Sequence, residues 1–473
     1  MGDEGESERW DPARAALPPI PAPPRVVRVR GPASRLPVPI AAPRPPGSKY
    51  YTLRYLLNAL LADGESVVRG PALSDDTAVL VRALRALAAG VTWERHAGDA
   101  SGWQLRVRGT GGRLHEPPGG VIQAGNAGSV LRLLLGIGAL LPCVRFETDH
   151  PGSLGRRPNA DLLDALAALG LTVQAGEPDG LLPITLAGGP PLGGVVAVSG
   201  ARSSQYVSAL LYLAPLLPRG LTITVAETLR SAPLVRATLR ALGEAGIAIE
   251  AAHDLMRFHV PGGQTFQPRV YDVPGDGPSA AALVGAALAL GAPRRLGRLD
   301  VGADDVRALV AALHALGAPL SETPEDAGGA LAVAGDARLT GARVDGDACI
   351  DSVPALVAAA CFAEGESRFE NVATLRLKES DRIGDLAAEL NRAGGDVTPL
   401  ADAILVRGRS EGIAGGATVD AHDDHRLAQA LAIAALRARD GLTITGADAV
   451  AKSYPWFFDD LARMGAEVAA LEA

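Results

Sequence analysis

A chain of 473 residues that is 48% hydrophobic, 4% aromatic and 21% charged has length for two sizeable cores, built from Ala, Leu and Val rather than from rings. Its net charge of -8 at pH 7 argues against nucleic acid or an anionic membrane as a general partner, so any anion site must be a local positive pocket. Cys143, Cys349 and Cys361 lack CxxC spacing and suggest neither a disulfide frame nor a zinc site, which places the chain in a reducing compartment.

Met1 to Trp10 is acidic without an apolar core, unlike a signal or transit peptide. Arg, Gly or Pro interrupts every long apolar run before it could span a bilayer, so a cytoplasmic protein without membrane attachment is expected. Residues 1 to 24, acidic and then Pro-rich, read as a disordered lead. Val26 to Val29 and Leu36 to Ile40 read as strands before the loop Pro43 to Ser48.

From there the chain repeats itself. Six short polar or Gly turns each run into a nearly all-apolar segment: Gly47-Ser48-Lys49, Gly125 to Ser129, Gly200 to Gln205, Gly275 to Ser279, Ile350 to Pro354 and Ala421 to Arg426. Helices apolar on most sides are buried. Each is followed by a second, amphipathic helix whose closing Gly is expected to cap it before a strand. The interval is roughly 75 residues, which implies six βαβαββ-like units of an α/β (α+β) protein. Three units per domain give a first domain at 49–272 and a second at 25–48 plus 273–473, crossing near Asp272 to Gly275. Buried helices that all start at polar turns would bring their N-termini to one cleft, where free amides and the helix dipole favour anions.

Those turns carry charge. Lys49 and Arg54 lie in the first, Asn126, Gly128, Ser129 and Arg132 in the second, and Arg157 before the next amphipathic helix. Ser203, Ser204 and Gln205 form the third; Ser231, Asp351, His425, Arg426 and Lys452 follow in later turns. Singly, each Lys or Arg reads as a surface charge and each Ser as an N-cap. Their shared placement points instead to a ligand carrying phosphate and carboxylate. The GSK turn lacks P-loop spacing. The stretch Leu375 to Ile383 places Lys378, Glu379 and Arg382 at a helix mouth capped by Ser380 or Asp381, with Glu379 and Asp351 as proton carriers. No metal cluster and no cofactor are expected, so cationic side chains must neutralise the substrate charge.

Pro46-Gly47-Ser48-Lys49, Gly125 to Ser129, Arg157-Pro158, Ser203-Ser204-Gln205, Leu377 to Arg382, Asp424-His425-Arg426 and Lys452 to Pro455 occur in order. As a set, covering about Val26 to the C-terminus, they closely resemble the 3-phosphoshikimate 1-carboxyvinyltransferases, or EPSP synthases. The resemblance implies a monomeric two-domain inside-out barrel closing over shikimate 3-phosphate and phosphoenolpyruvate. It implies transfer of the carboxyvinyl group to the 5-hydroxyl, with release of phosphate, on the way to chorismate. Carried over, Lys49, Arg54, Ser203, Ser204, Gln205, Ser231, Asp351 and Lys378 would contact shikimate 3-phosphate. Lys49, Asn126, Gly128, Arg157, Gln205, Arg382, Arg426 and Lys452 would surround phosphoenolpyruvate. Asp351 would accept the hydroxyl proton, and Glu379 with Lys378 would manage protonation of the methylene carbon.

The chain departs from that pattern at Tyr50, where relatives have a Ser for the acceptor phosphate, at Leu234 for Tyr, and at Thr374 for Asn. An aromatic hydroxyl from Tyr50 swung into the space at Leu234 would keep the subsite polar. Three other readings stand beside this one. The sister transferase acting on UDP-N-acetylglucosamine has a reactive Cys before its Arg-Pro pair, whereas Pro151 to Arg156 contains none. An idle homologue would not need Asp351, Glu379, Lys378 and Lys452. A transferase acting on another cyclic alcohol is suggested by Tyr50 and Leu234.

Overall fold

A computed structural model describes residues 11, 14–20, 22–32, 43–97, 101–291, 293–325, 328–334 and 337–472. The strand expected at Leu36 to Ile40 lies outside them. Among the described residues twelve α-helices fall into six pairs: α1 (Lys49–Leu61) with α2 (Asp75–Ala86), α3 (Gly128–Gly138) with α4 (Ala160–Ala168), α5 (Ser204–Leu213) with α6 (Ala232–Glu244), α7 (Gly277–Leu290) with α8 (Asp304–Ala315), α9 (Val353–Ala360) with α10 (Gly384–Arg392), and α11 (His425–Leu436) with α12 (Phe457–Arg463). The first member of each pair is buried nearly all round, as its composition dictates, and the second hides one face. None of these helices is long and apolar enough to cross a membrane.

Among the described residues six small sheets accompany the pairs, five of four strands and one of three. In most, a short strand lies parallel to a central strand that pairs antiparallel with a third, as Val121–Gln123 lies beside Cys143–Glu147 and that strand beside Leu181–Ala187. The three-stranded sheet belongs to the fourth unit, where a single parallel bridge from Gly275 to Leu299 stands where its neighbours have a strand. The sheets do not close in chain order. Val26–Arg30 pairs antiparallel with Leu442–Thr445 and Glu467–Leu471, while Val270–Asp272 pairs parallel with Glu65–Arg69. The two crossing segments meet at a bridge between Gly47 and Gly275. One buried apolar cluster accordingly runs from Tyr51 to Val273, and a second joins Val27 and Val29 to residues 280–466.

Local chemistry explains the helix ends. Ser48, Ser203, Asp276 and Asp424 cap α1, α5, α7 and α11 by accepting from first-turn amides. Asp381, not Ser380, takes the amides of Ile383 and Gly384 before α10, and the Ser380 hydroxyl goes to Asp424. The expected closing glycines hold positive φ at Gly170, Gly246, Gly317, Gly394 and Gly465. In the first unit Ala88 does so instead, at φ 75°, because Gly90 comes too late and opens a strand. That costs about 1 kcal/mol relative to glycine.

Part of the supposed disordered lead is seated. Arg85 donates to the carbonyls of Arg14 and Ala15, Trp93 Nε1 donates to that of Ala16, Pro18 is buried, and Leu17 and Ile20 pack on the first cluster. A Pro-rich segment makes few backbone bonds of its own, so its carbonyls are available to those side chains.

The helices of the first cluster approach closely at Gly136 of α3, where a Cβ would lie 2.4 Å from the carbonyl oxygen of Ala209 in α5. Gly136→Ala is expected to lower stability by about 2 kcal/mol, the usual cost of overpacking. Urea unfolding at equilibrium checks this, and unchanged stability would mean that the two helices do not meet there.

Candidate active site

A cleft lies where the starts of α1, α3, α5 and α11 face the segment from Thr374 to Arg382. Its charged lining is mostly cationic: Lys49, Arg132, Arg157, Arg202, Arg230, Lys378 and Arg382 against Asp76, Asp351 and Glu379.

Arg382 is the centre of one wall. Its side chain is 1% exposed, and the guanidinium donates to Asp424 (2.7 and 3.1 Å), Asp351 (2.9 Å) and Glu379 (2.7 Å). Asp351 Oδ1 also pairs with Lys378 Nζ at 3.1 Å, and its Oδ2 accepts from the Tyr50 hydroxyl. Burial pushes Asp351 up, but Lys378, Arg382, Arg426 and the Tyr50 hydrogen bond outweigh it and hold the carboxyl far below its ordinary range. Glu379 is likewise raised by burial and brought well down by Arg157, Arg382 and Lys452. Burial and Asp351 push the Tyr50 phenol well up, so it stays a proton donor. Glu379, Asp424 and His425 set ligand atoms within 4.8 Å of one another, yet Arg382 already supplies a fixed cation to both carboxylates.

The opposite wall collects cations around the uncapped start of α3. Arg157 is 7% exposed, lies 3.5 Å from Glu379, and finds no hydrogen-bond acceptor for Nε and Nη2 among the described residues. A Cβ at Gly128 would sit 2.8 Å from Arg157 Nη1, so only glycine leaves that arginine in place. Arg132 holds the Gln205 carbonyl at 2.8 Å while the Gln205 amide donates to Ser129 at 2.8 Å, which fixes its orientation. Lys49 and Lys452 both approach Asp76, at 3.1 and 3.5 Å.

A family model described as EPSP synthase (3-phosphoshikimate 1-carboxyvinyltransferase) matches residues 41–461. The chain belongs to the EPSP synthase family. It is 44% identical over 428 residues to the 3-phosphoshikimate 1-carboxyvinyltransferase of Deinococcus radiodurans, covering 90% of this chain and 93% of that one. The enzyme of the same name from Burkholderia pseudomallei is 34% identical, over 89% of this chain and 91% of its own. Among solved structures, EPSP synthase from Acinetobacter baumannii superposes with a TM-score of 0.76 at 27% identity, over 94% of this chain and 99% of that chain. The enolpyruvyl transferase NikO of Streptomyces tendae, at 20% identity and a TM-score of 0.72, shares the fold.

Of the residues expected to bind or react, the structure gathers Lys49, Gly128, Arg157, Ser203, Ser204, Gln205, Ser231, Asp351, Lys378, Glu379 and Arg382 on the cleft wall. Lys452 reaches in from behind, donating to the Asn126 carbonyl. Arg426 stands one layer back, on Gln429 and Asp276 at 3.1 and 3.4 Å, with Nε unpaired among the described residues. Arg54 is not part of the cleft wall. Its guanidinium is consumed by Thr238 and by the carbonyls of Tyr50 and Leu234, each at 2.9 Å, because a buried arginine must find acceptors. Tyr50 and Leu234 line the same cleft and the same small side cavity, and the buried Thr374 hydroxyl has no partner among the described residues.

Sequence reasoning missed Asp76, Arg202 and Arg230. Asp76 reads as an ordinary first-turn acid of α2, and nothing local to Arg230 announces its pair with Asp402 across the chain at 3.5 Å.

His425 is 1% exposed, and burial, Arg426 and Lys49 hold its pKa well below the ordinary value against the pull of Glu379. The unfolded imidazole takes a proton near pH ~6.5 and the folded one does not, so stability must fall as pH drops through that value. Thermal unfolding from pH ~7.5 to ~5.5 should show this slope, and His425→Gln should flatten it. Equal slopes in both proteins would contradict the assignment.

Proposed function

We propose that this protein transfers the carboxyvinyl group of phosphoenolpyruvate to the 5-hydroxyl of shikimate 3-phosphate, releasing phosphate, in the route to chorismate and the aromatic amino acids. The observation that carries the reading is the cluster of Asp351, Glu379, Lys378 and Arg382 facing a cleft of cations, in a chain of this family.

The proposed chemistry uses two carboxylates. Asp351, held ionised, takes the proton of the 5-hydroxyl as its oxygen bonds to C2 of phosphoenolpyruvate. Glu379, with Lys378 beside Asp351, delivers a proton to the methylene carbon, giving a methyl group and a tetrahedral adduct. In the free protein Glu379 is an anion because Arg157, Arg382 and Lys452 surround it. A bound phosphate and carboxylate would compete for those cations and add negative charge nearby, which raises the proton affinity of Glu379 where an acid is needed. The adduct then breaks its bond to the phosphate oxygen. Glu379 recovers a proton from the methyl carbon, restoring the double bond, and Lys452 and the arginines hold the departing phosphate.

In this reading Lys49, Ser203, Ser204, Gln205, Ser231, Asp351 and Lys378 serve the acceptor. Lys49, Gly128, Arg157, Gln205 and Lys452 serve phosphoenolpyruvate, with Asn126, Arg382 and Arg426 arranging them. Arg54 serves the acceptor side by fixing the backbone of Tyr50 and Leu234. Residues 49–272 form one enolpyruvyl transferase domain and 25–48 with 273–473 the other, hinged where Gly47 bridges Gly275.

The Tyr50 ring on the acceptor side favours one second reading, an enolpyruvyl transferase for another cyclic alcohol. Phosphate release from phosphoenolpyruvate, measured with shikimate 3-phosphate, shikimate and UDP-N-acetylglucosamine in turn, separates the possibilities. Release only with shikimate 3-phosphate is expected; release only with another alcohol, or none, would overturn the assignment.

A further inference from the structure

We infer that Asp76 is a positioning residue for the transfer, a buried carboxylate that holds the ammonium groups of Lys49 and Lys452 together at the phosphoenolpyruvate end of the cleft. The inference rests on the function proposed above and adds a residue to it.

Asp76 is 2% exposed, in the first turn of α2. Its Oδ2 lies 3.1 Å from Lys49 Nζ, and its Oδ1 lies 3.5 Å from Lys452 Nζ and accepts no hydrogen bond from the described residues. Lys49 opens α1, whereas Lys452 ends the 3-10 turn Ala447–Lys452, whose neighbours Ala447 and Val450 belong to the second apolar cluster. One carboxylate therefore draws in cations from the two ends of the chain.

The helix itself does not require this acid. Ser74 already caps α2 through Thr77 N at 3.3 Å, and Asp75 supplies first-turn charge. What requires Asp76 is the pair of lysines, since two ammonium groups brought together away from water repel strongly. The other groups around them are accounted for. Lys452 lies 3.6 Å from Glu379 and donates to the Asn126 carbonyl, and the Lys49 amide donates to Asp276. Burial pulls the Lys49 ammonium toward neutrality; Asp76 is the strongest opposing group, followed by Glu379 and, against Arg426, Asp351, and the balance is a pKa above the ordinary lysine value. With Asp76 neutral, burial and Arg426 would face weaker opposition. Lys49 would then lose its proton at lower pH, and with it the charge that meets phosphate.

The test is the pH dependence of kcat/KM for phosphoenolpyruvate, with phosphoenolpyruvate affinity by calorimetry, in the parent, Asp76→Asn and Asp76→Glu. Asp76→Asn should raise the KM for phosphoenolpyruvate about tenfold and move the alkaline limb down by about one pH unit or more. Asp76→Glu, which keeps the charge, should leave the limb near its parental position. A limb unmoved in Asp76→Asn, or moved equally in both variants, would overturn the inference. If Asp76→Asn does not fold, Asp76→Glu decides alone, a displaced limb counting against the inference. A parent that binds phosphoenolpyruvate without releasing phosphate sinks the assigned reaction instead, and the calorimetric pH limb then tests Asp76 by the same criteria.

Discussion

The site depends on one buried guanidinium. Arg382, with four hydrogen bonds to Asp424, Asp351 and Glu379, ties together the turn before α9, the mouth of α10 and the first residue before α11. Charged groups taken out of water are expensive, and Asp351 and Glu379 stay ionised because Arg382, with Lys378 beside the first and Arg157 and Lys452 beside the second, offsets that cost. Asp424 shows how closely chemistry and folding are joined, since it also caps α11 through the Arg426 amide at 2.8 Å. Asp351 and Glu379 are thus presented to the cleft as ionised, oriented groups before any ligand arrives.

The rest follows from where the apolar helices begin. A helix buried on all sides can leave polar atoms only at its ends, so six such helices force their starting turns to a shared boundary. Here that boundary holds the capped start of α1 with Lys49, the uncapped start of α3 against Arg157, the start of α5 with Ser203 to Gln205, and the start of α11 with His425. Local positive charge is built this way into a chain whose net charge is -8. Lys49 is balanced by Asp76 and Arg382 by three carboxylates, whereas Arg157, 3.5 Å from Glu379, keeps Nε and Nη2 without hydrogen-bond acceptors among the described residues and so available to an incoming anion.

Much of this was legible beforehand because it rests on pattern. The six polar turns fixed the starts of α1, α3, α5, α7, α9 and α11, and the Val/Arg alternation marked Val26–Arg30. What was not legible depends on tertiary neighbours. Arg54 shares a helix with Lys49, yet Thr238 and two carbonyls absorb its guanidinium. Asp76 looks like any acid in a first turn until Lys452 arrives from the far end of the chain. The Pro-rich lead carries no internal sign that Arg85 and Trp93 will bind its carbonyls.

The most direct measurement is the equilibrium unfolding free energy of Arg382→Gln near neutral pH. If Arg382 chiefly holds the carboxylates, its loss strands buried anions, and stability should fall by about 3 kcal/mol or more. Parental stability, with nothing changed except a higher KM for phosphoenolpyruvate, would show that Arg382 serves only as a ligand contact and would contradict the account.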